Sequence, residues 1–209
     1  VNGANNLSAV ISDSSDSSDE GTLVVTVDST APTATITDDQ SGTAADPDPV
    51  VTYTVQFSEQ VIGFSAGDLN VTGGSVSNFA AGDGANEYTF DVTATDGSTT
   101  PIEVSIDAGG AVDPAGNGNL AASAASQAVD TLNPTVTSIT DDQAGTANIA
   151  DPTVKYTVNF SEAVTGFSAS DLNVTGGTVS GFSASGSTAS FTVTADANSE
   201  TPIEVTVPA

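Results

Sequence analysis

The chain has 209 residues, a formal net charge of −26, one basic side chain (Lys155) and no His, Cys, Met or Trp. That balance excludes nucleic acid and anionic membrane surfaces as partners, Ser-His and Cys-His nucleophile pairs, and disulfides or thiolate metal sites. No apolar run approaches the ~20 residues of a membrane span, and the sequence opens on Val1 with no signal peptide, so it reads as an internal segment with no membrane insertion of its own.

In chain order, "VNGANNLSAV" at 1–10 has the pattern of "VDPAGNGNLAAS" at 112–123, so residues 1–27 read as the end of a preceding repeat or as a donor-type β-hairpin. The acidic run "SDSSDSSDE" at 12–20 separates "LSAVIS" from "GTLVVTV" and lacks the glycine turn and final glutamate of an EF-hand loop. The flanking segments either pair with each other or leave "GTLVVTV" to complete an open sandwich in a neighbouring molecule.

From residue 28 the pattern is β throughout. "TATI", "VVTYTVQF", "LNVTG", "SVSNFA", "EYTFDVTA", "IEVSI" and "SAASQAV" are alternating or β-rich runs, separated by Gly, Asp, Asn and Pro. Val51, Tyr53, Val55 and Phe57 share one face of the second run, and no stretch carries a helical apolar stripe. About seven short strands in roughly one hundred residues predict an immunoglobulin-like sandwich of two antiparallel sheets. Phe57, Phe64, Phe79 and Phe90 stand in for a disulfide and buried Trp as the core, mirrored by Phe160, Phe167, Phe182 and Phe191.

The same text then returns. "ITDDQ" occurs at 36–40 and 139–143, "FSE" at 57–59 and 160–162, and "DLNVTGG" at 68–74 and 171–177. "TPIEV" at 100–104 returns at 201–205, after "AAGDGANEYTF" has shortened to "SASGSTASF" where a hairpin tip tolerates the loss. The fold class is therefore all-β, as tandem immunoglobulin-like β-sandwich domains: a complete repeat at 28–132 and a repeat lacking its last strand at 133–209.

Alternating strand direction places acidic loops at the two poles of each sandwich. One pole of the first repeat presents Asp38, Asp39 and Asp96, with Asp130 in the following linker and Glu162 facing it from the second repeat. At the other pole Asp28 lies in the entering linker, Glu59 faces it from "FSE", and "DPAGNGN" adds Asp113, with Asn117 and Asn119 as candidate carbonyl donors. Asp141 and Asp142 repeat the Asp38–Asp39 pair. Carboxylates gathered without a cationic side chain repel one another, and oxygen ligands without His or Cys suit Ca²⁺, which accepts six to eight oxygens in flexible geometry. The competing reading is that these loops only keep the protein soluble. Asp68 and Asp171 are either ligands or turn caps, and Asp46, Asp48 and Asp151, beside prolines, read as solvated.

"FSEQVIGFSAGDLNVTGGSVSNF", "FSEAVTGFSASDLNVTGGTVSGF", the "VDSTAP" linker and "DPAGNGN" together resemble the bacterial Ig-like repeats of giant RTX-type and biofilm-associated adhesins, except for "LNPT", where Asn133 replaces Ala. The resemblance covers nearly the whole chain outside residues 8–26 and implies an extracellular spacer at the bacterial cell surface, rigidified by calcium and contacting neighbouring repeats of its own chain. Two other functions stand beside it. One is a self-assembling filament or surface-layer subunit using strand donation; the other is a calcium-dependent carbohydrate-binding module, for which the tyrosines, all in strand runs, offer no exposed platform. The carboxylates recur with the repeats rather than converging on one cleft, so no enzyme activity is expected.

Overall fold

In the computed structural model, residues 5–11, 21–82, 84, 86–148 and 151–208 are described. The chain divides into two units, 1–132 and 133–209. At the start, β1 (Asn5–Ile11) and β2 (Gly21–Val27) pair as an antiparallel hairpin, from Asn5 opposite Val27 to Ile11 opposite Gly21. The acidic run between them lies outside the described residues.

The first sandwich follows: β3 (Ala34–Asp38), β4 (Ala44–Ala45), β5 (Val50–Phe57), β6 (Leu69–Thr72), β7 (Gly74–Ala81), β8 (Glu87–Ala94), β9 (Glu103–Ile106), β10 (Ala122–Ser123) and β11 (Val129–Asp130). One sheet has the order β3-β5-β8-β7 and the other β10-β9-β6, which is the four-plus-three arrangement of a constant-type immunoglobulin domain. Strand alternation sets the core: Val51, Tyr53, Val55 and Phe57 on β5 are buried while the residues between them are not. Phe90, Val92 and Ala94 of β8 and Ile102, Val104 and Ile106 from the opposing sheet close against them. Tyr53 stacks on Phe90 at 5.5 Å, and Phe57 meets Phe64 edge-on at 5.1 Å. Each such side chain contributes roughly 1.5–3 kcal/mol by leaving water. Phe79 packs against this core only partly buried.

The run "SAASQAV" does not form one strand. β10 pairs with β9, whereas β11 pairs in parallel with β4 in a separate two-stranded sheet, Val129 against Ala44. Between them Gln127 bridges to Ile102, so the closing segment leaves the three-stranded sheet to pair with β4.

The second unit contains β12 (Val136–Asp141), β13 (Thr153–Phe160), β14 (Asn173–Thr175), β15 (Gly177–Ser185), β16 (Thr188–Ala195) and β17 (Glu204–Thr206). Its sheets have the orders β12-β13-β16-β15 and β14-β17. The one-residue difference between "TATITDDQ" and "TVTSITDDQ" is absorbed as a β-bulge between Val136 and Ser138. The loss between "AAGDGANEYTF" and "SASGSTASF" falls at the β15–β16 turn, where Gly186 takes φ 60°. Of the phenylalanines expected in its core, Phe191 is buried; Phe160, Phe167 and Phe182 are partly buried against it.

Both copies of "DLNVTGG" owe their glycines to close backbone approach. Gly73 takes φ +76°, and a Cβ there would collide with the Pro101 carbonyl oxygen; Gly176 meets Pro202 in the same way. Asp68 and Asp171 are turn caps, each accepting from the backbone N–H and hydroxyl of the serine three residues earlier.

Candidate cation site

The "PT" and "FS" dipeptides of each repeat lock together. Thr33 N–H donates to Ser58 Oγ at 3.0 Å while Ser58 N–H donates to the Thr33 carbonyl at 2.8 Å. Thr135 and Ser161 repeat both bonds in the second unit. In the first unit this clamp fixes the entering segment against the β5–β6 loop and brings the residue after the serine, Glu59, beside Asp28; Glu162 follows the equivalent serine of the second unit. A third strap comes from the β9–β10 connection: Leu120 N–H donates to the Pro32 carbonyl and Ile62 pairs with Val112.

Those three segments converge in the first unit on Asp28, Glu59 and Asp113, each of which brings one carboxylate oxygen within 4.8 Å of those of the other two. Asp28 is exposed, Glu59 half-buried and Asp113 1% exposed. Asp113 sits inside a turn of its own making: Oδ1 accepts from Asn117 N–H at 2.8 Å, and Oδ2 from the Asn117 side-chain amide at 2.8 Å. That amide hydrogen bond, helped by backbone N–H donors of residues 115–117, holds the Asp113 carboxyl below its ordinary range against the effect of burial. Glu59 is displaced the other way, raised first by desolvation and then by the charges of Asp28 and Asp113. The chemistry is that of an oxygen-only donor set: three carboxylates, one whose ionised form is favoured by its hydrogen bonds and one whose ionised form is disfavoured by desolvation and its neighbours. Six to eight oxygens at about 2.3–2.6 Å satisfy Ca²⁺, so three carboxylates with water can meet its demand.

The two asparagines serve differently from the carbonyl donors expected of them. Asn117 enters through its amide nitrogen, which also donates to the Asp28 carbonyl at 3.2 Å. Asn119 is buried and fully used by the loop, accepting from Ala111 N–H and donating to the Asp107 and Leu120 carbonyls.

The remaining candidates have local partners. Asp38 Oδ1 accepts from Gln40 N–H and Asp39 Oδ1 from Thr52 N–H, pinning the edge of the sheet. Asp141 and Asp142 do the same for Gln143 and Lys155. Asp130 Oδ1 faces Leu132 N–H at 3.4 Å, and Asp96 is exposed in the β8–β9 turn. Among the described residues of the first unit, these do not form a second group of three carboxylates. Beneath them the Tyr53 hydroxyl is buried without a hydrogen-bond partner among the described residues, its pKa pushed up to about 12 by burial and then by Asp38 and Asp39.

Several supporting residues escape a reading by charge. Ser58 and Thr33 carry the clamp, and the buried Thr131 hydroxyl donates to the Thr95 carbonyl at 2.7 Å, tying the exit of the first unit to its β8–β9 loop. The recurrence of "PT" and "FS" was the available signal for the first pair; nothing in the sequence marks Thr131.

A family model described as the bacterial Ig-like domain matches residues 28–129 and again 130–208. Neither the curated proteins nor the solved structures gave a match. Among the described residues no helix is long and apolar enough to cross a membrane.

Proposed function

The chain belongs to the bacterial Ig-like domain family, a structural fold whose members typically occur in surface-exposed proteins, and we propose that it is a non-catalytic extender segment of a bacterial cell-surface adhesin, stiffened by calcium at the linkers entering its repeats. The observation that carries this reading is the convergence of Asp28, Glu59 and Asp113 in a protein with a single basic residue. A solubility role accounts for exposed Asp28 but not for a carboxylate as buried as Asp113 beside two others.

Calcium there joins three segments distant in sequence: the linker, the β5–β6 loop and the β9–β10 loop. Asp28 immediately follows β2, so fixing its carboxylate restricts the rotations by which the preceding strand swings against the sandwich. Glu162 stands at the matching clamp of the second repeat, and the sequence given ends before a counterpart of Asp113. Extracellular calcium modules bind with constants around 10⁻⁴–10⁻³ M, within reach of calcium outside cells. Extracellular location at the cell surface and adhesion itself form part of the proposal.

Calorimetric titration of residues 1–209 with calcium tests it. Saturable binding in that concentration range, lost in Asp28→Asn with Glu59→Gln, supports the reading. Binding unaffected by those substitutions, or no saturable binding, removes it.

A further inference from the structure

The asparagine that ties the candidate cation site together is followed by a glycine, Gly118. In an Asn–Gly pair the glycine nitrogen can reach the side-chain carbonyl carbon of the asparagine, and no Cβ hinders its approach. Packing keeps the glycine there, since a Cβ at 118 would stand 3.2 Å from the Gly109 Cα. Gly118 faces Val112 between two backbone bonds, Asp113 N–H to the Asn117 carbonyl at 3.0 Å and Asn119 N–H to the Ala111 carbonyl at 2.9 Å. Its own N–H has no acceptor among the described residues. Both residues are half-buried in the loop between β9 and β10, within reach of water.

We infer that Asn117 is a site of spontaneous deamidation whose rate is set by occupancy of the cation site. The Gly118 nitrogen attacks Asn117 Cγ and closes a five-membered succinimide. The bond from Cγ to Nδ2 breaks, and ammonia leaves with the proton that Gly118 gives up. Water then opens the ring at one of its two carbonyls, leaving aspartate or isoaspartate at 117. Water is the only co-reactant. Either product lacks the amide that joins Asp113 to the Asp28 carbonyl. Isoaspartate also routes the main chain through the side-chain carbon, inside the turn where Asn117 N–H meets Asp113 Oδ1 at 2.8 Å. Deamidation is therefore a one-way loss of the strap between loop and linker.

The gate follows from where the amide is held. Nδ2 donates to Asp113 Oδ2 at 2.8 Å and to the Asp28 carbonyl at 3.2 Å, and the side chain gives up both bonds to turn onto Gly118. Donation to a carboxylate also keeps electron density on the nitrogen and opposes its departure. Three carboxylates without a cation repel one another and favour the local opening that frees the amide. A cation bound to the closed site suppresses that opening by mass action. This gate rests on the calcium reading above; the chemistry at Asn117 does not.

The test is mass spectrometry of residues 1–209 during ageing at mildly alkaline pH, with fragmentation that localises the change from amide to acid. One sample holds excess chelator and another calcium about ten times above its binding constant; a synthetic peptide of residues 112–122 gives the rate without the fold. The peptide is expected to convert equally in both. The protein is expected to convert at Asn117 more slowly than the peptide in chelator, and about tenfold more slowly again in calcium. Asp28→Asn with Glu59→Gln is expected to abolish the calcium effect. An Asn117 that stays intact in chelator while the peptide converts overturns the inference and leaves the calcium reading standing. Equal conversion with and without calcium, or calcium protection that survives in the double variant, overturns it too. Calorimetric titration of the same samples then separates the two failures: saturable calcium binding places the fault in the gate, and its absence places the fault in the calcium reading.

Discussion

Asn117 ties Asp113 to Asp28: one side-chain amide donates to the Asp113 carboxylate at 2.8 Å and to the Asp28 backbone carbonyl at 3.2 Å. The residues it joins are far apart in sequence and belong to different structural segments, a loop between the last strands and the linker entering the first. The Asp113 carboxylate and the Asp28 backbone are thus tied together by a residue that is not itself acidic.

Asn117→Ala removes that orientation without changing the number of carboxylates. Calcium affinity is expected to fall about tenfold, the usual scale for losing a partner that orients a ligand. Titration calorimetry on the variant reads it directly, and an unchanged affinity would leave Asn117 a structural residue only.

The pH dependence separates Glu59 from Asp113. The Glu59 carboxyl is raised above its ordinary 4.5, so the folded state holds that proton more tightly than the unfolded one. Its stabilising contribution is complete below the unfolded value and is lost as pH rises through the folded one. Asp113, lowered from 3.8 by Asn117, contributes stability above its unfolded value that is lost as pH falls through its folded one. In chelator, Glu59→Gln is therefore expected to gain in melting temperature on the wild type as pH rises from below 4.5 to neutrality. Saturating calcium is expected to reverse the order, because only the wild type keeps the full site.

Gly73→Ala tests why "VTGG" recurs. The added Cβ meets the Pro101 carbonyl at a positive φ, so the first unit is expected to lose at least about 2 kcal/mol in denaturant unfolding. Ala at Gly97, where φ is +64° but a Cβ meets nothing, is expected to cost less.

Thr131→Val keeps the shape of a side chain 1% exposed and deletes a hydroxyl that serves the Thr95 carbonyl and accepts from Ser98 N–H. Leaving those groups unpaired is expected to cost about 1–3 kcal/mol. Hydrogen exchange at Ser98 is expected to accelerate with it.

The sandwich was legible because alternation is a local property: "VVTYTVQF" declares its buried face without reference to any other segment. The closing segment was not, because small residues such as Ala124 and Ala125 carry no alternation, and the change of sheet between β10 and β11 depends on what β4 and β9 offer. At the candidate site, counting carboxylates found Asp28, Glu59 and Asp113 together, since strand order dictates which loops share a pole. It placed Asp38, Asp39, Asp141 and Asp142 in the same class; each accepts a backbone N–H, as Asp28 does from Thr30 and Asp113 from Asn117. Residue type alone does not distinguish an aspartate that caps a turn from one left to a cation. Both Asp38 and Asp113 have backbone donors within a few residues; what sets Asp113 apart is its burial and the two further carboxylates beside it.

Small-angle X-ray scattering of residues 1–209 in millimolar calcium and then in excess chelator, repeated on Glu59→Gln, addresses the central claim most directly. The account predicts that calcium narrows the wild-type distribution of particle lengths to a fixed extended form, and that the variant stays as variable as the chelated protein. Profiles identical with and without calcium would contradict it and leave the carboxylates as solubility features.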